Sequence, residues 1–84
     1  MRQNPEIEMA ELKGELLLLN SASNKFFIMN PTAALVWEKL KQPTGEQELA
    51  SALCERFSGT TPQQALEDVK ETLKNMRELG LLLE

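Results

Sequence analysis

With 84 residues, 42% of them hydrophobic and 26% charged, the chain has room for one modest core and the composition of a folded domain, not of a disordered or repetitive segment. It has no His and a single Cys, Cys54, which excludes imidazole-based triads, histidine-bearing or multi-thiolate metal sites and an internal disulfide. Nine Lys and Arg against 13 Asp and Glu give a net charge of -4, the wrong sign for a surface that must neutralise phosphates.

The first element in chain order is the least regular. Residues 1–6 carry no periodic pattern and are expected to be flexible, and Met1-Arg2-Gln3-Asn4-Pro5 does not lead into a signal-peptide core. A strand around Glu8 to Leu12 alternates Glu8, Ala10 and Leu12 with Met9 and Glu11, without one clean apolar face. Leu12-Lys13-Gly14-Glu15 offers a tight turn, Leu16 to Leu19 an apolar strand, and Asn20-Ser21-Ala22-Ser23-Asn24 a polar connection into Lys25-Phe26-Phe27-Ile28-Met29. The result is a three-stranded antiparallel meander.

At Asn30 the pattern changes from strand to helix. Asn30 is a helix cap, Pro31 suits a first helical position, and Ala33, Ala34, Trp37 and Leu40 recur at helical spacing to about Lys41, before Gln42-Pro43. Thr44 with Gln47 and Thr61 with Gln64 both match the capping-box pattern and predict two further helices. The second runs to about Phe57, with Leu49, Leu53 and Phe57 inward and Gly59 just beyond. The third carries Leu66, Val69, Leu73 and Met76 on one stripe and stops at Gly80. Three strands followed by three helices make a single α+β domain over residues 1–84. The longest apolar runs, Leu16 to Leu19 and Leu81 to Leu83, are far short of the roughly 20 residues of a membrane helix. A soluble, unprocessed cytoplasmic protein is expected.

Catalytic chemistry has little to stand on. Glu46, Glu48, Glu67, Glu71 and Glu78 fall at solvated helix positions, with no buried pair of carboxylates for acid and base work, and Cys54 has no imidazole to activate it. Gly14, Gly45, Gly59 and Gly80 each lie at an element boundary, so no phosphate loop is present. Trp37 shares the inward stripe of its helix and reads as core. No catalytic residue, metal or cofactor is expected.

Two features point to binding. In the third helix Lys70, Lys74 and Arg77 form an i, i+4, i+7 row of cations on an acidic protein. The plain reading is a solvated flank in which Glu67-Lys70 and Glu71-Lys74 pair weakly. The strand from Lys25 to Met29 is apolar on both faces, and as the last strand of the meander it has an edge with unpaired N–H and C=O groups. Either helices cover both faces, or an extended peptide docks along the edge and lays alternate side chains into the gap beside the third helix.

Met29-Asn30-Pro31-Thr32-Ala33-Ala34 followed by Val36-Trp37-Glu38-Lys39-Leu40, then Asp68-Val69 with Leu73, and Leu79-Gly80-Leu81-Leu82 resemble the PqqD-like family, the RiPP precursor peptide recognition elements, over about residues 8 to 83. The resemblance implies a winged-helix-like fold that binds the leader of a ribosomally made precursor as an extra strand on the third strand, in contact with the third helix. A separate enzyme then acts on the core peptide. By that resemblance Lys25, Phe26, Phe27, Ile28 and Met29 are the pairing strand and Val69, Leu73, Met76 and Arg77 the helix contacts; Lys70 and Lys74 join them on charge. The Asp68 match is open between ligand contact and fold.

Partners in this family include a lasso-peptide leader peptidase, the favoured reading here, and a radical SAM enzyme of pyrroloquinoline quinone biosynthesis. A winged-helix DNA-binding regulator and a subunit that forms a homodimer through the edge strand are the other readings. The acidic balance of the third helix, which also carries Glu67, Glu71 and Glu78, disfavours the regulator.

Overall fold

The chain runs β1 (Arg2–Gln3), β2 (Glu8–Leu12), β3 (Glu15–Asn20), β4 (Lys25–Met29), α1 (Pro31–Lys39), α2 (Glu46–Arg56), α3 (Pro62–Glu78) and β5 (Leu82–Leu83) in a computed structural model that describes residues 1–83. β2, β3 and β4 form the antiparallel meander with β3 at its centre. Its first turn works because Lys13 (φ 53) and Gly14 (φ 84) are both left-handed, the backbone that matches the twist of a two-residue hairpin. Asn24 (φ 59) closes the second connection, in a conformation Asn tolerates better than most residues.

Register decides which side chains meet the helices. Met9, Leu18 and Phe27 share one cross-strand row and Ala10, Leu17 and Ile28 the next, so alternate residues face opposite ways. Leu18 and Met29 are buried under the helical layer, whereas Phe26 and Ile28 on the other face remain 60% and 52% exposed. The helices therefore cover one face of the sheet.

Asn30 Oδ1 accepts the Ala33 N–H at 2.8 Å to start α1, and Thr61 Oγ1 accepts the Gln64 N–H at 3.1 Å to start α3. The Thr44 box is different. α2 begins one residue later, with Gly45 as its cap and no side-chain bond to it. The Thr44 hydroxyl is within 2.9 Å of the Lys39 carbonyl and 2.8 Å of that of Gln42, so it donates back to the turn that ends α1.

α3 ends in a left-handed Gly80 (φ 71) flanked by Leu81 N–H to Met76 C=O (2.9 Å) and Gly80 N–H to Arg77 C=O (3.0 Å), the paired bonds of a Schellman terminus. Leu18, Val36, Leu40, Leu49, Leu53, Val69, Leu73, Met76 and Leu81 are the large, fully enclosed side chains between sheet and helices. Ala65 is completely buried where Leu66 is only half-buried, because at 100° per residue Leu66 lies at the margin of the stripe centred on Ala65, Val69, Leu73 and Met76.

The first residues, expected to be loose, are tied down. β1 pairs with β5 (Arg2 with Leu83, Gln3 with Leu82), Gln3 N–H donates to Leu40 C=O at 3.0 Å, and Asn4 N–H donates to Leu81 C=O at 2.9 Å. Thr44 N–H also reaches Met1 C=O at 3.1 Å. Two-residue strands are too short to show a period, so no pattern announces them. Among the described residues no helix is long and apolar enough to cross a membrane.

Candidate functional site

Among the described residues β4 pairs with β3 and with no other strand, so its outer edge presents backbone N–H and C=O groups in the plane of the sheet. Beside that edge, between β4, the start of α1 and one flank of α3, lies a groove of about 250 Å³ lined by Phe27, Asn30, Thr32, Ala33, Asp68, Glu71, Thr72 and Asn75. Phe27 also packs against the core cluster and supplies an apolar wall; the remaining side chains other than Ala33 are amide, hydroxyl or carboxylate. A strand added to β4 would send alternate side chains into this groove and the others to the outer face, beside Phe26 and Ile28.

Helical geometry determines which α3 residues reach the groove. At 100° per residue, Ala65, Val69, Leu73 and Met76 centre on the core, with Asp68, Thr72 and Asn75 on one side of that stripe and Lys70, Lys74 and Arg77 on the other. The groove lies on the Asp68 side. The cation row faces away from it, and Arg77 reaches back to Met1 Sδ at 3.0 Å.

The expected strand residues are on β4, but they divide between environments. Phe27 points into the groove, Phe26 and Ile28 lie on the open outer face, Lys25 is exposed at the strand's start, and Met29 is buried. Val69, Leu73 and Met76 are all 0% exposed, so they shape the groove from behind and present no surface to a ligand. Asp68, Glu71, Thr72 and Asn75 take the surface position instead. Asp68 apart, no motif singled them out. Their i, i+3, i+4, i+7 spacing is visible in the sequence, but a helix has two such flanks, and only packing selects the one beside β4.

The outer face of the sheet carries its own shallow apolar concavity, lined by Leu12, Leu17, Leu19, Phe26 and Ile28 with Lys13 and Glu15 at one end. Cys54 is partly buried on α2. Among the described residues no group of His, Cys, Asp or Glu is arranged to hold a metal ion.

Comparison with known proteins places this geometry. The fold superposes with a TM-score of 0.82 on TbiB1 in complex with the TbiA(beta) leader peptide, at 20% identity over 98% of this chain and 94% of that one. It superposes equally, TM-score 0.82, on a lasso peptide synthetase B1 complexed with the leader peptide, at 25% identity over 99% and 96% of the two chains. No curated protein matches the chain in sequence. Residues 15–82 match the family model described as coenzyme PQQ synthesis protein D, PqqD. That match spans the meander from β3, all three helices and the groove between β4 and α3, and the chain belongs to the PqqD family.

Proposed function

We propose that this protein is a non-catalytic adaptor that captures the leader segment of a ribosomally synthesised precursor peptide by strand addition to β4 and presents the precursor to a maturation enzyme. The observation that carries this reading is the unpaired β4 edge beside the α3 groove, in a fold shared with two proteins whose structures contain leader peptides. The absence of any imidazole and the lone, partly buried Cys54 leave the chemistry to the partner. Backbone pairing at roughly 1 kcal/mol per hydrogen bond and anchoring at roughly 2 kcal/mol per apolar side chain, less about 2 to 5 kcal/mol for ordering the peptide, lead toward micromolar affinity. That strength suits a carrier that must release its cargo.

The partner enzyme is a lasso-peptide leader peptidase on this reading, given the lasso peptide synthetase B1 that shares the fold; a radical SAM enzyme is the alternative that the family's name supports. The neighbouring open reading frames discriminate the two. The mechanism is tested by titrating the chain with a synthetic leader taken from the adjacent precursor, followed by amide hydrogen exchange. Protection of β4 amides and shifts along Asp68, Thr72 and Asn75 are expected. A leader that binds while β4 exchange stays unchanged refutes strand addition.

A further inference from the structure

The helical layer leaves part of the inner sheet face bare. Leu18 of β3 is completely buried, yet Met9 of β2, its neighbour in the same cross-strand row and on the same face, is 61% exposed. The bare strip opens into a cavity of about 500 Å³ between the sheet, α1 and the end of α2. Its apolar wall includes Met9, Leu16, Ala34, Leu35 and Phe57. Cavities of this size and lining are where proteins hold large apolar groups.

Polar groups at the site are unevenly signed. Lys41 and Arg56 line it against a single acid, Glu38, in a chain of net charge -4. Neither cation makes an ion pair among the described residues. The cavity also runs beside the outer edge of β2, which among the described residues pairs with β3 alone. This edge is the opposite border of the sheet from β4, about 10 Å away across two strand spacings, so a peptide on β4 leaves it vacant.

We propose, resting on the adaptor reading above, that the β2 edge and this cavity form a second docking site, which receives an apolar side chain flanked by carboxylates from the enzyme that takes the leader. The walls select the apolar group, Lys41 and Arg56 select the acids, and the open edge accommodates an extended backbone. A second copy of this chain fits less well, since each copy carries a net charge of -4 and the two would repel.

Two probe peptides test the site, acetyl-Glu-Leu-Phe-Glu-amide and acetyl-Lys-Leu-Phe-Lys-amide, read by the fluorescence of Trp37, the only Trp and a lining residue, and by NMR shifts at Met9. The acidic probe should bind at least about tenfold tighter than the basic one, and Lys41→Glu with Arg56→Glu should reverse the order. Ala34→Glu, at a half-exposed helix position, should weaken the acidic probe and slow enzymatic processing of the precursor while leader affinity stays within about twofold of the parent.

Absent saturation at millimolar probe, equal affinities, displacement of the acidic probe by leader, or a dimer by sedimentation that seals β2 each overturns the proposal. Unchanged processing by the Ala34→Glu protein overturns it as well. A leader that fails to bind β4 overturns the adaptor reading, and the enzyme as occupant with it, but leaves the probe preference untouched, so the two failures are told apart.

Discussion

Asn20 Nδ2 donates to the backbone carbonyl of Leu79 at 3.1 Å, joining the end of β3 to the C-terminal cap of α3 across 59 residues of sequence. The same side chain accepts the Ala22 N–H through Oδ1 at 3.2 Å, so both ends of a nearly buried amide are used. The bond ties the end of β3 to α3, the helix whose Asp68 flank borders the groove beside β4.

Asn20→Ala leaves the Leu79 carbonyl without this partner in a part-buried place. A loss of about 1 to 3 kcal/mol is expected, or roughly 4 to 8 °C in Tm per kcal/mol, with weaker leader binding as α3 loosens. Thermal denaturation by circular dichroism measures it, and an unchanged Tm would show that the bond contributes nothing.

Gly80 is constrained twice over. Its φ of +71 is costly for any residue with a Cβ, and a Cβ there would stand 2.9 Å from Asn20 Nδ2. Gly80→Ala should destabilise by about 1 to 2 kcal/mol from the backbone alone, plus the displacement of Asn20. In the Asn20→Ala background the second part disappears, so a double-mutant cycle should give a coupling of at least about 0.5 kcal/mol. Strict additivity in urea denaturation would contradict the contact.

The two phenylalanines of β4 should separate folding from binding. Phe26→Lys changes a side chain on the open face and should move stability by no more than about 0.5 kcal/mol. Phe27→Ala removes a wall of the groove that also packs on the core, and should cost roughly 2 to 3 kcal/mol, below the full range for a wholly buried Phe. Denaturant melts of both proteins check this, and an equal loss in the two would contradict the register.

On α3 the flanks should behave oppositely. Lys70→Ala and Lys74→Ala are expected to leave leader affinity within about twofold, since both face away from the groove. Thr72→Trp places an indole in the groove and should weaken the leader at least about tenfold, near 1.4 kcal/mol. Calorimetric titration at two salt concentrations decides; a large loss with the lysine variants would place the peptide on the other flank.

Much of the molecule was readable along the chain because its signals are local. The Asn30 and Thr61 caps, the Lys13-Gly14 turn, the Gly80 terminator and the apolar run of β3 each depend on a few neighbouring residues, and each stands where its pattern predicts. Thr44 failed because one hydroxyl had two possible uses, and the carbonyls of Lys39 and Gln42, at and just past the end of α1, took it. β1 and β5 were invisible because a two-residue strand exists only through its partner at the other end of the chain.

The candidate site divides in the same way. Periodicity alone was enough to show that β4 is apolar on both faces and that α3 has a core stripe with two polar flanks. Packing of α3 against α1 and α2 then turned Asp68, Thr72 and Asn75 toward the edge of β4, sent Lys70 and Lys74 outward, and enclosed Val69, Leu73 and Met76. A helix repeats its geometry without saying which side meets a neighbour. That choice comes from how side-chain volumes fill the space between layers, which no local pattern records.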